Sequence, residues 1–449
     1  MTPNLRFRGY CTIALLSASL ALVAQALPAQ TTAVETKPAD RYFGTYQPRK
    51  VPEAKGCLLR AGDHLAICGD SITEQKMYSR IMETYLTVCV PELRISVRQH
   101  GWSGETADRF LQRMVADCLR FGPTVATTCY GMNDYRYRPY DEANARWYCE
   151  KYTGVVRAFK AAGVRVVLGS PSCVGKVASW VKTATGTVQE HNLHLCRLRD
   201  IDIGIAAREN VRFADNFWPL FSNSFAARQK YGPQYALAGH DGVHPGWAGH
   251  LVMAYAFLKA LGTDGDIGTL TVDLPSGVAM ATRGHVIESF QDGRLSVTSR
   301  RYPFCAAGET NKDNSVRSGM TLVPFNAELN RFRLVVQGGK APLYCVTWGK
   351  TTRTYSARQL GAGVNLADDF ADNPFSEAFK KVDEAVFAKQ VFETKQMKSV
   401  LHSAAKDGLE ATLAKSEAEH TALAATVQAA FVPLRHTIII KPQGTNDTQ

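Results

Sequence analysis

Between about residues 60 and 262, short apolar runs alternate with longer segments whose apolar residues recur at helical spacing. The apolar runs are residues 65–68, 95–98, 125–130, 164–169 and 211–214. Fully apolar strands separated by helices are typical of a parallel sheet with helices on both faces. The sequence therefore predicts a three-layer α/β/α domain with a mostly parallel sheet.

Residues suited to chemistry follow the first three runs. Ser71 lies just after the first run, Gly104 after the second and Asn133 after the third. In open α/β sheets, ligands bind beyond the carboxyl ends of the strands. We therefore expect these three residues to lie at one edge of the sheet.

A serine hydroxyl becomes an effective nucleophile when a histidine takes its proton and a carboxylate orients that histidine. The segment Asp241-Gly242-Val243-His244 supplies an acid and a base three residues apart, downstream of Ser71. A backbone N–H at Gly104 and the side-chain amide of Asn133 are suitable donors for the oxyanion of acyl transfer.

Ser71, Gly104, Asn133 and His244, in this order, resemble the four sequence blocks of the SGNH hydrolases, the GDSL-type esterases and lipases. The similarity extends over about residues 60–262. It implies an SGNH hydrolase domain at 56–263, with Ser71 as nucleophile, His244 as base and Asp241 as the orienting acid. The implied oxyanion donors are Ser71, Gly104 and Asn133, and Asp70 is implied to tether the turn.

Other interpretations compete at several of these positions. Ser71 also suits the N-cap of the following helix, Asn133 is an ordinary turn residue, and Gly101 competes with Gly104. An α/β-hydrolase elbow requires Gly-x-Ser-x-Gly, but position 73 is threonine.

A metal site is a further alternative, because His240, His244 and His250 lie close in sequence. Histidines four residues apart, such as His240 and His244, bind a metal together from a helix, but Gly242 and Pro245 make a helix unfavourable here. We expect no metal and no cofactor.

Three residues near the second and third blocks are candidates for substrate binding: Trp102, Tyr135 and Arg136. Aromatic rings stack on sugar faces, and guanidinium groups bind anions. A packed loop with arginine stems lying along it is an equal alternative. No long apolar lid is found near the blocks, which favours an esterase of small acyl groups over a triglyceride lipase.

Residues 1–26 have the pattern of a secretory signal peptide, with Arg6 and Arg8, an apolar run at 11–23 and Ala24-Gln25-Ala26. The run is too short to span a bilayer, which takes about 20 residues. We expect a secreted or periplasmic protein without stable membrane insertion. Loss of this segment lowers the formal charge from +11 by two arginines, to +9. No block of basic residues with interleaved aromatics indicates nucleic-acid binding.

Ten cysteines remain after residue 26, an even number that suits an oxidising compartment. Cys68, Cys118 and Cys129 have the neighbours of core residues. Cys305 and Cys345 are the two cysteines beyond residue 262, so we expect them as the pair if one disulfide forms. Connectivity does not follow from sequence.

The rest of the chain divides into three predicted regions. Residues 27–55 are a linker or surface arm, 264–362 a β-rich accessory domain, and 363–449 a C-terminal helical segment with a terminal strand near 436–440. Asp292-Gly293 predicts a hairpin turn. The predicted C-terminal helix repeats apolar residues at Phe375, Phe379, Val382 and Val386. Such a stripe must be buried, which favours a stabilising clamp over a tethered carbohydrate-binding or partner-binding module.

The sequence thus predicts an exported serine esterase that removes acyl groups, chiefly acetyl groups, from a carbohydrate. The expected partner is an acylated small molecule or polysaccharide substrate, and the oligomeric state does not follow from the sequence. A lysophospholipase or thioesterase of the same family is the alternative enzyme. A non-catalytic glycan-binding protein on the same fold is the alternative outside the enzymes.

Overall fold

Five parallel strands form the central sheet of this protein, whose computed structural model describes residues 33–402 and 408–444. The predicted signal peptide lies outside the described residues. The strands are β1 His64–Gly69, β2 Ser96–Gln99, β3 Val125–Cys129, β4 Arg165–Gly169 and β5 Arg212–Ala214. Their order is β2-β1-β3-β4-β5, and every neighbouring pair is parallel. This is the flavodoxin-like order, so the predicted fold is confirmed.

Helices cover both faces of this sheet. They are α1 Ser71–Glu74, α2 Tyr78–Val88, α3 Ala107–Asp117, α4 Glu142–Ala161, α5 Val188–Glu209, α6 Trp218–Tyr231 and α7 Trp247–Leu261. Helices α2 and α7 pack together, while α3, α4 and α5 form a second group. Because parallel strands are joined by right-handed crossovers, this strand order places the two groups on opposite faces.

Two further sheets follow the central one. Their strands are β6 Asp266–Asp273, β7 Val278–Ala281, β8 His285–Gln291, β9 Arg294–Ser299, β10 Arg331–Gln337, β11 Leu343–Trp348, β12 Thr351–Ser356, β13 Val364–Asn365 and β14 Leu434–Pro442. One sheet has the order β13-β10-β6-β7, and the other β12-β11-β14-β9-β8. The hairpin between β8 and β9 turns at Asp292 and Gly293, which have φ of 50° and 71°. The predicted hairpin is confirmed, but β6 and β10 pair in parallel and are not joined by a hairpin.

The remaining helices are α8 Val316–Gly319, α9 Phe325–Leu329, α10 Ala357–Ala362, α11 Leu366–Asp369, α12 Ser376–Lys395 and α13 Leu409–Ala430, with a π-helical turn at Gln396–Leu401. Helix α12 contacts α2, β2 and α13. Its side chains Phe379, Val382 and Val386 are buried, so the predicted burial of this stripe against a neighbour is confirmed.

The terminal strand β14 lies between β9 and β11. The terminal strand predicted near 436–440 is therefore confirmed, and it pairs with strands of the β-rich region. One consequence is that the predicted regions 264–362 and 363–449 share a sheet, because β14 occupies its centre.

The described part of the predicted arm packs closely on the hydrolase region. Val34 and Arg49 form a β-bridge, and a 3₁₀ helix spans Arg41–Thr45. The rings of Phe43 and Tyr46 are buried against Trp218 of α6 and its neighbours. Residues 33–55 are thus an arm held by an aromatic cluster.

All ten cysteines of the described residues are free thiols, so the expected Cys305–Cys345 pair is wrong. Cys305 is buried near Asn373, whereas Cys345 lies on β11 near Thr354. Burial raises the pKa of the Cys305 thiol to about 12. Among the described helices, none combines the length and apolar character that a membrane crossing requires.

Candidate active site

The turn that carries Ser71 joins β1 to α1. The carboxylate of Asp70 accepts the N–H of Ile72 at 2.9 Å and caps α1, while Ser71 is the first residue of that helix. The interpretation of Ser71 as the capping residue is therefore wrong, because its neighbour has that role. A side chain at Gly69 would collide with Thr73 Oγ1 and Cys129 O, so glycine is required before the turn.

The structure brings the two ends of the predicted triad together. Ser71 Oγ lies 2.8 Å from His244 Nε2, and His244 Nδ1 lies 2.7 Å from Asp241 Oδ2. The second oxygen, Asp241 Oδ1, accepts the N–H groups of Val243 and His244 at 2.8 and 2.9 Å. The loop between α6 and α7 therefore holds the carboxylate by three bonds.

The charge of this loop suits an orienting acid. Partial burial raises the pKa of Asp241, but the two backbone N–H groups and the imidazole outweigh it and hold the pKa below its usual range. An ionised carboxylate accepts a hydrogen bond from the Nδ1–H of His244, which leaves Nε2 unprotonated and able to accept the hydrogen bond of the Ser71 hydroxyl. The chain thus places a serine hydroxyl, an imidazole and a carboxylate in one hydrogen-bonded series.

Two backbone N–H groups beside Ser71 suit an oxyanion. Residues 102–105 form a turn in which the Glu105 N–H donates to Trp102 O at 3.1 Å, and Gly104 has φ of 74°. Among the described residues, the N–H groups of Gly104 and Ser71 have no intramolecular acceptor.

The amide of Asn133 is oriented by two bonds. Its Nδ2 donates to Glu105 O at 3.0 Å, and its Oδ1 accepts the Tyr137 hydroxyl at 3.3 Å. One amide hydrogen therefore remains for a ligand. That the three donors converge on one oxygen stays a prediction.

Gly101 has a different part from Gly104. Its N–H is taken by Gln99 Oε1, and a side chain there would collide with the backbone of Thr73 and Glu74. Gly101 therefore permits the close approach of the second block to α1.

The three histidines of the metal alternative have separate partners. His240 Nε2 lies 3.3 Å from Asp313 Oδ2, whereas His250 is buried on α7 and bonds to Gln75 Oε1 at 2.9 Å. His244 faces Ser71 and Asp241. The three side chains thus do not share one site.

The predicted substrate contacts have different outcomes. Tyr135 is fully buried, and its hydroxyl bonds to His191 Nδ1 at 3.2 Å. The prediction that Tyr135 contacts substrate is therefore wrong, because its ring belongs to the core. Arg136 is exposed and lies over the Trp147 ring at 4.9 Å. Trp102 is half-buried, with the His402 ring 4.9 Å away. For Arg136 and Trp102, substrate contact stays a prediction.

One aromatic residue that lies beside His244 was not identified from the sequence. Trp180 lies in the loop between β4 and α5, and its ring stacks on His244 at 5.7 Å with an interplanar angle of 26°. It is 48% exposed, a high value for so large an apolar side chain. No motif surrounds Trp180, and only its exposure beside His244 indicates a contact with ligand.

Known proteins share this domain and this fold. Residues 67–252 match the model of the GDSL-like Lipase/Acylhydrolase family. A solved structure described as BT4096, a gut microbial diltiazem-metabolizing enzyme, is similar with a TM-score of 0.68 and 21% identity, over 87% of this chain and 100% of that one. Axe2, an acetylxylan esterase from Geobacillus stearothermophilus, gives a TM-score of 0.37 and 23% identity, over 45% of this chain and 96% of that one. No curated protein matches.

The chain therefore carries a GDSL-like lipase/acylhydrolase domain at residues 67–252 and is a hydrolase that acts on ester bonds. The similarity to the diltiazem-metabolizing enzyme covers far more than this domain. The fold that includes the two C-terminal sheets is thus also found outside this chain.

Proposed function

We propose that this hydrolase is an exported serine esterase whose nucleophile is Ser71, whose base is His244 and whose orienting acid is Asp241. The observation that carries this proposal is the continuous chain of hydrogen bonds from Ser71 Oγ through the imidazole to the Asp241 carboxylate. It matches the geometry in which a serine hydroxyl is activated for acyl transfer.

The reaction follows from these positions. As Ser71 Oγ attacks the ester carbonyl carbon, its proton passes to His244 Nε2, and the carbonyl oxygen becomes an oxyanion that faces Ser71 N–H, Gly104 N–H and the Asn133 amide. His244 then gives the proton to the departing alcohol while the ester C–O bond breaks, which leaves an acyl-Ser71. Water repeats the sequence and releases the carboxylic acid.

Ser71→Ala tests the assignment directly. We expect a fold unchanged by circular dichroism and a loss of at least about 10⁴-fold in kcat on p-nitrophenyl acetate, because the residual groups only bind and polarise the ester. Near-wild-type turnover would mean that another nucleophile is used. Arg146→Ala, at an exposed surface pair with Glu142, is the control and should keep full activity.

We further propose acetylated carbohydrates as the substrates. The departing alcohol leaves from the side of His244, where Trp180 offers an exposed ring. A flat aromatic face suits the apolar face of a sugar. Rates on acetylated oligosaccharides that exceed those on longer acyl esters would support this substrate class.

A lysophospholipase or thioesterase remains the alternative enzyme, and it predicts the opposite order of acyl-chain preference. A glycan-binding protein without activity predicts no turnover of any ester together with retained glycan affinity. The intact hydrogen-bonded triad favours an enzyme, since binding needs no activated serine.

Export is also part of the proposal. Burial raises the pKa of buried thiols such as Cys173 and Cys196 to about 12, which keeps them protonated and slow to oxidise. Buried free thiols of this kind are therefore compatible with an oxidising compartment. Mass spectrometry of the mature protein tests the proposal, and a start at residue 27 is expected.

A further inference from the structure

A second carboxylate lies three residues after the nucleophile and links two distant parts of the chain. Glu74 is the last residue of α1, and its side chain is 18% exposed. Glu74 Oε2 accepts the N–H of Ser103 at 2.5 Å, and Glu74 Oε1 accepts Lys398 Nζ at 2.5 Å. One side chain thus connects α1, the second block and the C-terminal helices.

The bond to Ser103 fixes the turn that offers Gly104. Ser103 and Gly104 are the central residues of the turn closed by Glu105 N–H and Trp102 O. Because Glu74 belongs to the helix that Ser71 begins, its carboxylate ties this turn to the nucleophile. The spacing of the Ser71 and Gly104 N–H groups therefore depends on where Glu74 is held.

Lys398 is held in place from the C-terminal side. It lies on the π-helical turn Gln396–Leu401, a rare geometry often found at functional sites. Its neighbour Met397 accepts a hydrogen bond from Arg113 at 3.0 Å, and His402 bonds to Asp117 at 2.6 Å. The turn is thus anchored to α3 on both sides of Lys398.

The charges favour a persistent bond. Burial raises the pKa of Glu74, but the bonds from Lys398 and Ser103 outweigh this effect and hold the pKa below its usual value. Lys398 Nζ also lies 5.2 Å from the centre of the Trp102 ring, at the start of the same turn. The ammonium group therefore contacts both the carboxylate and the turn that this carboxylate orients.

We propose that Lys398 is a positioning residue for ester hydrolysis, acting through Glu74 to hold the Ser103–Gly104 turn against Ser71. The C-terminal region then completes the oxyanion site as well as stabilising the fold. This inference depends on the proposed roles of Ser71 and Gly104.

The test compares one lysine substitution and one arginine substitution, both at the contact between the parallel-sheet region and the C-terminal region. Lys398→Met should lower kcat on p-nitrophenyl acetate by about tenfold with KM within about twofold, because a displaced donor weakens the transition state more than the bound substrate. Arg80→Met removes the Arg80–Asp383 ion pair between α2 and α12. Asp383 lies in the first half of α12, whereas Lys398 follows the end of this helix. The Arg80→Met variant should lower Tm but leave kcat unchanged.

A double-mutant cycle identifies the route. Glu74→Gln alone should lose about as much kcat as Lys398→Met, and the double variant should lose little more, since both remove one connection. Lys398→Arg, which keeps a cation near Glu74, should restore kcat to within about threefold of the wild type.

Two results would overturn the inference. One is a kcat for Lys398→Met within twofold of the wild type while Tm falls as for Arg80→Met, which is the behaviour of a structural contact. The other is full additivity in the cycle. Failure of the proposed function is separate, because it appears as retained activity in Ser71→Ala.

Discussion

The candidate site of the parallel-sheet region and the charged cluster of α12 differ in their exposure. In the candidate site, Ser71 and Asn133 follow the carboxyl ends of buried strands and His244 lies on the loop before α7, and all three side chains are partly exposed. In the C-terminal region, a cluster of charged side chains on α12 is buried at the contact with the first region. There Lys389, 2% exposed, bonds to Val97 O at 2.7 Å and to Glu393 at 2.5 Å, with Glu83 at 3.1 Å.

This difference shows what the C-terminal region does for the fold. Burial lowers the pKa of a lysine, but Glu393 and Glu83 outweigh that effect and raise the pKa of Lys389. A charge buried between two acids is costly to separate from them. Helix α12 is therefore fixed to α2 and β2 by polar as well as apolar contacts, and the two regions should unfold together.

Truncation after Leu261 is the most severe test of whether the parallel-sheet region depends on the C-terminal region. We expect an insoluble or unfolded fragment, because removal of α12 uncovers apolar surface on α2 and the Tyr85 hydroxyl loses its acceptor, Leu329 O, at 2.7 Å. Soluble yield, circular dichroism and esterase activity measure the outcome. A well-folded, fully active fragment that has lost only polysaccharide affinity would instead make the C-terminal region an independent binding module.

A single buried charge should have a smaller effect of the same kind. Lys389→Met leaves Glu393 and Glu83 without their cation, and we expect the free energy of unfolding to fall by about 3–5 kcal/mol. Urea denaturation measures it. The matched control is Lys380→Met on the same helix, where the partner Glu384 is 3.8 Å away and both side chains are exposed.

The control should change stability by less than about 0.5 kcal/mol. Equal effects of the two substitutions would show that the contact between α12 and the parallel-sheet region contributes little. The comparison between the regions would then rest on apolar packing alone.

Sequence reasoning succeeded where structure is local. The five parallel strands were predicted to within two residues at each end, because apolar runs and helical spacing are short-range patterns. The central position of β14 between β9 and β11 could not be predicted, since it depends on pairings between residues 90 to 145 positions apart.

The site follows the same rule. Ser71, Asp241 and His244 lie within sequence motifs, so all three could be predicted as candidate site residues from the sequence. Tyr135 was misplaced because an aromatic residue in a loop has the same sequence pattern whether its ring faces solvent or the core. The Glu74–Lys398 contact joins residues 324 positions apart and has no local pattern at all.

Two buried histidines, one in each region, allow the sharpest test of whether the regions unfold as one. His250 on α7 accepts the N–H of Tyr78, and His436 on β14 accepts the N–H of Trp348. In both cases burial lowers the pKa to about 3, aided by a neighbouring histidine, His244 or His285. Both rings are therefore neutral in the folded protein at every pH near neutrality.

The sign of the pH dependence follows from these values. As pH falls below about 6.5, the unfolded chain binds a proton at each histidine, whereas the folded chain does so only near pH 3. Stability contributed by each neutral histidine is thus full above pH 6.5 and is lost as pH falls towards 3. Each contributes a slope of at most about 1.4 kcal/mol per pH unit, or about 2 kcal/mol between pH 6.5 and 5.0.

Each of the substitutions His250→Gln and His436→Gln removes a histidine that the unfolded chain would protonate. Each should therefore reduce the loss of unfolding free energy at low pH by about 2 kcal/mol. If the regions unfold together, the two variants flatten one shared transition equally in urea titrations at pH 7.5 and 5.0, followed by tryptophan fluorescence. If the C-terminal region unfolds first, His436→Gln alters only the earlier of two transitions. That result would contradict the single cooperative unit that the buried Lys389 contacts imply, because α12 would then release the parallel sheet without unfolding it.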